Sequence, residues 1–266
     1  ARVLAILGSF LGVLIVLRPG AGIVDPAAFL VLLAAAGYGA SAVFVKRLTR
    51  QSSPQIIVVP TIWFPAFHPD QTPILWRRGG ELEGAVGPYH SKICVWGWTH
   101  GFDADAVLAW FRPEVFAALG YFDAWSPATA ELRGIFEPTD IDFGRWFLPL
   151  GRRGAFMLTN NHPRIDALVQ LARLVAEQLG ADPVLVRYGW EQVLPDGLLA
   201  SSVVWPLYPS VADVLDLPGA YVWRLASGEL IDLPTFVARS MASYVSISPD
   251  ALNPQAIASL CTSSCW

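Results

Sequence analysis

The residue best placed to do chemistry is a histidine in an aromatic string, WFPAFHPDQ, that begins at Trp63. His68 precedes Pro69, and a proline restricts the backbone of the residue before it. A fixed imidazole, with its ordinary pKa near neutrality, can act as a general base. Asp70 could orient that imidazole, or it could begin a turn, as Asp commonly does. The string therefore predicts His68 and Asp70 as a catalytic pair.

Five polar residues form a second candidate set, suited to binding an anion such as a phosphate: Asn160, Asn161, His162, Arg152 and Arg153. The two asparagines precede a predicted helix, so one of them could cap it, and amides exposed there could hold the anion. The two arginines lie between glycines, and such a compact basic turn suits a phosphate clamp. A plain helix cap with a packed imidazole and a solvated basic turn are the alternatives.

Other reactive side chains give weaker signals. His90 and Ser91 could form a base and nucleophile pair, but neighbours on a helix point in different directions, so we predict a hydrogen-bonded core role. Cys94 lies in a hydrophobic stretch, where cysteines are more often buried than nucleophilic. Cys261 and Cys265 have no histidine nearby. We therefore predict free thiols and no metal site.

Three predicted elements would position the candidate residues. The apolar, β-branched run at 56–62 predicts a buried strand that leads to His68, and side chains at strand ends face a cleft in open α/β sheets. Residues 156–159 predict a short strand that runs into the asparagines. Residues 164–179 carry apolar side chains at helical spacing, and Gly180 ends the pattern. This order predicts a helix-rich α/β domain with a small sheet.

Composition separates the first 50 residues from the rest of the 266-residue chain. The mean hydropathy of +0.45 and the hydrophobic content of 54% are high, and the excess lies in residues 1–50. Two apolar runs, 3–17 and 27–45, predict a two-helix transmembrane hairpin ahead of the α/β domain. The basic cluster at 46–50 would then lie in the cytoplasm by the positive-inside rule. A signal peptide followed by a buried core helix is the alternative.

The apolar segment also resembles part of a transporter family. The text GVLIVLRPGAG, followed by DPAAFLVLLAAAGYGASAVFVKRLTR, is similar to the middle of an EamA-type drug/metabolite transporter. Such transporters have about ten helices in two repeats, and a lone pair of helices cannot enclose a substrate path between repeats. We therefore expect a tether rather than a transporter. The predicted organisation is a hairpin at 1–50, a linker at 51–54, an α/β domain at 55–250 and a tail at 251–266.

Residues 55–244 resemble a second family, the WcbI-type polysaccharide biosynthesis enzymes. The resemblance rests on the strings PTIWFPAFHPDQ, GPYHSKI, LGYFDAW, FMLTNNHPRIDALVQLAR, LPD and WPLYPSVAD. It implies a bacterial acetyltransferase that uses coenzyme A or acetyl-CoA to modify capsular sugars, with a sugar or polysaccharide as acceptor. In that family a Cys, a Glu and a His form a protease-like triad, and the His corresponds to His68. The Cys and Glu belong to an earlier Gly-Asn-Cys-like segment, where this chain has the predicted hairpin.

The sequence thus predicts a coenzyme A-dependent, acyltransferase-like domain held at the bacterial inner membrane on its cytoplasmic side. Because the family's nucleophile segment has no counterpart here, two alternatives stay open. The domain could be a non-catalytic module that binds a sugar or the cofactor, or a gene rearrangement could have fused it to a transporter fragment. A net charge of −4 with no long basic run argues against nucleic acid as a partner.

Overall fold

The computed structural model describes residues 57–253, a range in which short helices alternate with very short strands. The α-helices are α1 (Lys92–Thr99), α2 (Ala104–Leu108), α3 (Pro113–Ala118), α4 (Trp125–Phe136), α5 (Phe143–Gly151), α6 (Ile165–Gln178), α7 (Pro183–Arg187), α8 (Trp190–Val193), α9 (Gly197–Ser201), α10 (Pro209–Val214) and α11 (Leu233–Tyr244). The strands are β1 (Gln71–Pro73), β2 (Tyr89–Ser91), β3 (Met157–Thr159), β4 (His162–Pro163), β5 (Val222–Arg224) and β6 (Leu230–Asp232). Single 3-10 turns occur at Pro65–Phe67, Tyr121–Asp123 and Pro249–Ala251.

Local sequence signals explain why the chain breaks into many short helices. The amides of a helix's first turn have no partner inside the helix, and a short polar side chain can accept their hydrogen bonds. Serine or aspartate does so at the start of six described helices: Ser91, Asp103, Asp142, Asp182, Asp196 and Asp232. Proline occupies the first turn of α3, α7, α10 and α11, where its missing N–H costs nothing.

The strands form three separate two-stranded antiparallel ladders: β1 with β2, β3 with β4, and β5 with β6. Within residues 57–253 the predicted single small sheet is therefore corrected to three small sheets. The strand predicted at 156–159 is confirmed as β3, and the helix predicted at 164–179 is confirmed as α6. The ladder of β3 with β4 turns at the two asparagines and has an irregular register.

The buried strand predicted at 56–62 is wrong over the residues that the structure describes, because 57–62 is irregular. The exposed Val58 instead exchanges hydrogen bonds with Asp140: its N–H donates to the carboxylate at 2.7 Å, and its carbonyl accepts the Asp140 N–H at 3.0 Å. Pro60 has no N–H to give to a ladder. The segment therefore satisfies its backbone outside any sheet.

Aromatic rings build much of the core. One cluster surrounds the fully buried Phe64, whose ring lies 5.0 Å from Phe156 and 5.2 Å from Trp125. In a second cluster Trp223 stacks on Phe236 at 4.0 Å. Aromatic pairs at such distances add packing energy beyond the area that they bury. Phe64 immediately precedes the Pro65–Phe67 turn, and His68 follows that turn. The packing of the first cluster therefore fixes the position of the segment that carries His68.

The transmembrane part of the predicted fold class is wrong, and so is the predicted inner-membrane location. Of the helices between residues 57 and 253, none combines the length and the apolar character needed to cross a membrane. The predicted hairpin at 1–50 lies outside the described residues. The fold class is corrected to helix-rich α/β with small sheets.

Candidate functional site

The structure buries His68 and leaves one of its ring nitrogens unpartnered. The residue follows the Pro65–Phe67 turn and is 3% exposed. Nδ1 lies 3.3 Å from the carbonyl oxygen of Pro206, which assigns the ring proton to Nδ1 because a carbonyl can only accept. Nε2 has no hydrogen-bond partner among the described residues.

Burial governs the protonation of this imidazole. It lowers the pKa of His68 to about 4, although the backbone carbonyls of Pro206 and Met157 act in the opposite direction. A buried cationic imidazole would lose its hydration, so the neutral form is favoured. At physiological pH the side chain is therefore a neutral imidazole with its lone pair on Nε2.

Asp70 is fully buried, but its carboxylate does not bond to His68. Oδ1 accepts from Ile93 N at 3.1 Å and from the Tyr121 hydroxyl at 2.9 Å, and Oδ2 accepts from the Tyr208 hydroxyl at 2.7 Å. Burial raises the pKa of Asp70, while its hydrogen bonds, that of the Ser91 hydroxyl first among them, act in the opposite direction. Within residues 57–253 any effect of Asp70 on His68 is therefore indirect.

Asn160 lies against the His68 loop rather than at the surface. Its backbone N–H donates to Gln71 Oε1 at 2.6 Å, and its Nδ2 donates to the Gln71 carbonyl at 3.2 Å. The Gln71 N–H in turn donates to the His68 carbonyl at 3.0 Å. Both side chains are buried, and Gln71 Nε2 and Asn160 Oδ1 have no partner in the described part of the chain. Gln71 thus links the two candidate sets, a role that its position in the sequence did not indicate.

Asn161 and His162 lie in a partly exposed cluster of hydroxyl groups. Asn161 Oδ1 accepts from the Tyr89 hydroxyl at 2.9 Å and from the Thr159 hydroxyl at 3.0 Å. His162 Nδ1 lies 3.2 Å from the Tyr89 hydroxyl and 3.4 Å from that of Ser202. Burial lowers the pKa of His162. We name these five residues the hydroxyl cluster; they could bind the hydroxyl or phosphate oxygens of a ligand.

The helix after this cluster is not capped by an asparagine. Arg164 stands at the cap position of α6 with no side-chain hydrogen bond. The N–H of Ile165 donates instead to Asp196 Oδ2 at 3.1 Å, and Asp196 Oδ1 accepts from Leu199 N at 2.8 Å. One carboxylate therefore serves the first turns of both α6 and α9. A negative group of the protein thus already interacts with the helix terminus expected to attract an anion.

Arg152 and Arg153, at the end of α5, have different surroundings although both are exposed. Arg153 forms an ion pair at 3.5 Å with Glu191, which also pairs with Arg173 at 2.6 Å. Arg152 has no carboxylate partner within residues 57–253. The structure provides no hydrogen bond between either arginine and the hydroxyl cluster or His68.

A pocket of about 360 Å³ lies beside this basic turn. Gly151 and Gly154, which flank the two arginines, contribute to its lining together with the rings of Phe67, Phe122 and Trp125. The Phe67 ring is 6.4 Å from the imidazole of His68. The pocket is therefore bounded by the glycines of the arginine turn and by Phe67, the residue before His68.

Comparison with known proteins identifies the family. The family model for the polysaccharide biosynthesis enzyme WcbI matches residues 28–184, more than half of the chain. The chain belongs to the WcbI family.

A solved structure of WcbI shares the fold with a TM-score of 0.58 and 15% sequence identity. The match covers 77% of this chain and 65% of the WcbI chain, so this chain corresponds to less than two thirds of that protein. That structure is described as a novel polysaccharide biosynthesis enzyme, the native protein without a disulfide bond between coenzyme A and a cysteine. No curated protein matches this chain.

The family match corrects the interpretation of the first 50 residues. It begins at residue 28, inside the second apolar run at 27–45, although we placed the start of the WcbI resemblance at residue 55. Residues 28–50 thus fall within the WcbI family match, and the EamA-type resemblance is not supported. The predicted domain boundaries remain predictions.

The cysteine and the second histidine singled out in the sequence are both buried in the core. Burial raises the pKa of the Cys94 thiol well above its usual range, so it carries no thiolate at neutral pH. His90 Nδ1 lies 2.7 Å from the Tyr244 hydroxyl, and Nε2 lies 2.8 Å from the Leu82 carbonyl. The predicted hydrogen-bonded core role of His90 is confirmed.

Proposed function

We propose that this member of the WcbI family transfers an acyl group from coenzyme A to a hydroxyl of a sugar or polysaccharide, with His68 as the general base. One observation carries the proposal: a neutral, buried imidazole whose Nδ1–H donates to a carbonyl and whose Nε2 lone pair has no partner among the described residues. A base of this kind is oriented and unprotonated before any substrate arrives, and the sugar hydroxyl must displace the packing around the buried Nε2 to reach it.

The reaction transfers one proton from the sugar hydroxyl to His68 and then from His68 to the leaving sulfur. Acyl-CoA supplies an activated acyl carbon and a thiolate leaving group. His68 Nε2 takes the proton from the attacking sugar hydroxyl, whose oxygen bonds to the acyl carbon as the carbon–sulfur bond breaks. The same nitrogen returns the proton to the departing sulfur, so the products are the acylated sugar and the free thiol of coenzyme A. The low pKa of His68 favours this return and makes the first transfer, from the sugar hydroxyl to Nε2, the harder of the two.

The candidate binding residues have the chemistry that coenzyme A requires. Arg152, which has no carboxylate partner in the described range, could pair with a phosphate, and Arg153 could do so beside Glu191. The aromatic pocket next to them has room for a planar ring such as adenine. In the hydroxyl cluster, Asn161 and His162 could bind polar groups of the sugar or of coenzyme A. Asn160 is buried next to them and bonds to Gln71.

A second function is favoured by the environment of the described cysteine. Cys94 is fully buried and its pKa is raised, so it cannot serve as the nucleophile of the family's triad. If transfer required that covalent step, this part of the chain would act as a module that binds coenzyme A or a sugar without turnover. Binding without turnover would support this second function, whereas acyl transfer would support the first.

Calorimetric titration of the full 266-residue chain with coenzyme A tests the cofactor directly. We expect saturable binding, and Arg152→Ala should weaken it about tenfold, the value of one charge-assisted hydrogen bond at the low end of its range. No heat of binding at millimolar ligand would remove coenzyme A from the proposal.

Two glycine variants make the titration specific to the pocket. A methyl group added at Gly151 or at Gly134 would meet no atom within 4 Å, but only Gly151 lines the pocket. Gly151→Leu should therefore obstruct coenzyme A, while Gly134→Leu, the matched control in α4, should bind as the wild type does. Equal affinities in the two variants would place the cofactor elsewhere.

A further inference from the structure

Two buried hydrogen bonds join the segment that carries His68 to the segment 206–208. The first is the contact of 3.3 Å between His68 Nδ1 and the Pro206 carbonyl. The second is donated by the Tyr208 hydroxyl to Asp70 Oδ2 at 2.7 Å. Both bonds connect the same two stretches of chain. Their ends lie two residues apart in each stretch, at 68 and 70 and at 206 and 208. They therefore form a pair of parallel links across 138 residues of sequence.

Asp70 is the fixed end of the second link. Its other oxygen accepts from Ile93 N in the first turn of α1 and from the Tyr121 hydroxyl. The Lys92 N–H donates to the Asp70 carbonyl at 2.8 Å. With backbone and side chain both held, Asp70 cannot follow a movement of the 206–208 segment. It can only restrain that segment through Tyr208.

Tyr208 is the other end, and packing leaves its ring little freedom. The residue is 2% exposed, and its ring stacks on Phe116 at 5.6 Å and contacts Trp223 at 5.8 Å. Its carbonyl accepts the N–H groups of Val211 and Ala212 in the first turn of α10. The hydroxyl is thus the one polar group through which the ring is tied to the His68 side of the site.

We propose that the hydrogen bond from Tyr208 to Asp70 holds the Pro206 carbonyl against His68 Nδ1, and thereby fixes the tautomer that leaves Nε2 free. Asp70 and Tyr208 are positioning residues in this proposal, because neither forms a hydrogen bond with the imidazole. The proposal rests on the proposed function for its catalytic meaning. The structural statement about the tautomer can be tested without turnover.

The test is a pair of tyrosine variants that each remove one hydroxyl from the same carboxylate. Tyr208→Phe removes the bond to Oδ2 and keeps the ring. Tyr121→Phe removes the bond to Oδ1 from a tyrosine that is also buried. Tyr208 lies two residues from Pro206 in the chain, whereas Tyr121 belongs to a different segment, so its loss should not move the Pro206 carbonyl. Both variants leave Asp70 with one donor fewer, so a general loosening of the buried network would affect them alike.

Nitrogen-15 NMR of the full chain reports which ring nitrogen of His68 carries the proton, and the missing signal in His68→Gln assigns the resonance. At pH 7 we expect Nδ1 to be protonated in the wild type and in Tyr121→Phe. Tyr208→Phe should show a mixture of the two tautomers. Its kcat/KM for acetyl transfer should fall about three- to tenfold with KM little changed, in line with the loss of one hydrogen bond.

Each outcome decides the matter. Equal spectra for the wild type and Tyr208→Phe, or the same change in both tyrosine variants, would overturn the positioning role. A tautomer change confined to Tyr208→Phe would support it even if the wild type neither binds coenzyme A nor turns over. In that case the proposed function would fail alone.

Discussion

Acidification should destabilise the fold through His68 by an amount that follows from its burial. The folded pKa of about 4 lies below the ordinary value of 6.5. Between these two values the unfolded chain binds a proton that the folded chain does not, so stability falls as the pH falls. The two values differ by about 2.5, and each pKa unit corresponds to 1.36 kcal/mol, so the loss approaches about 3 kcal/mol by pH 4. Well above pH 6.5 both states are neutral and the contribution is constant.

Urea denaturation at a series of pH values from 7 to 4 measures this loss. His90 and His162 also have lowered pKa values, and the pKa of Asp70 is raised. The dependence of wild-type stability on pH is therefore the sum of several titrating groups. His68→Gln removes one contribution from that sum. The wild type should lose about 3 kcal/mol more than His68→Gln over the range.

The outcome that refutes this reasoning is a parallel decline. If the wild type and His68→Gln lose stability equally between pH 6.5 and pH 4, then His68 titrates alike in the folded and unfolded chains. Its Nε2 would then be solvated in the folded protein, contrary to the burial on which the proposed base depends.

Three further predictions concern single features of the fold. In a Cys261→Ser/Cys265→Ser background, native protein should resist maleimide at pH 7 and react only after denaturation, because the Cys94 thiol is buried; rapid native labelling would contradict that burial. Asp196→Ala should lower the free energy of unfolding by about 1–2 kcal/mol, since one carboxylate caps two helices, and an unchanged urea midpoint would show that these caps contribute nothing. Trp146→Ala should cost about 3–5 kcal/mol by the same measurement, because the indole is fully buried and its N–H donates to a backbone carbonyl; a loss below about 1 kcal/mol would contradict that packing.

Sequence reasoning named candidate site residues, but it could not name the distant groups that hydrogen-bond to them. The string around His68 and the strand leading to Asn160 are local signals, and local signals carried both predictions. The donors that fix Asp70 could not be predicted in the same way. Tyr208 is 138 residues away from Asp70, and no spacing rule connects two segments that only the tertiary fold brings together.

Two local predictions failed because distant groups outcompeted nearby ones. The asparagines before α6 were the obvious caps, but Asp196, 31 residues beyond Ile165, supplies the carboxylate. The β-branched run at 56–62 has strand propensity, but Asp140 takes up the backbone groups of Val58. Strands of two or three residues are also too short to show the alternation by which strands are recognised.

The apolar text at the start of the chain shows the limit of composition. Run length measures hydrophobicity and does not report what covers the apolar surface, so the runs at 3–17 and 27–45 alone could not decide between a membrane span and part of an enzyme domain. For the second run, the WcbI family match from residue 28 supplied the information that run length lacks; the first run lies outside the match.

The central claim, that His68 is the base of an acyl transfer from coenzyme A, is tested most directly by turnover. Thiol release from acetyl-CoA is measured for the full chain with a panel of sugar and polysaccharide acceptors, and repeated with His68→Gln. We predict acceptor-dependent release by the wild type and a loss of about 10²–10⁴-fold in His68→Gln, with the affinity for coenzyme A retained. Undiminished release by His68→Gln, or no release by the wild type with any acceptor although coenzyme A binds, would contradict it.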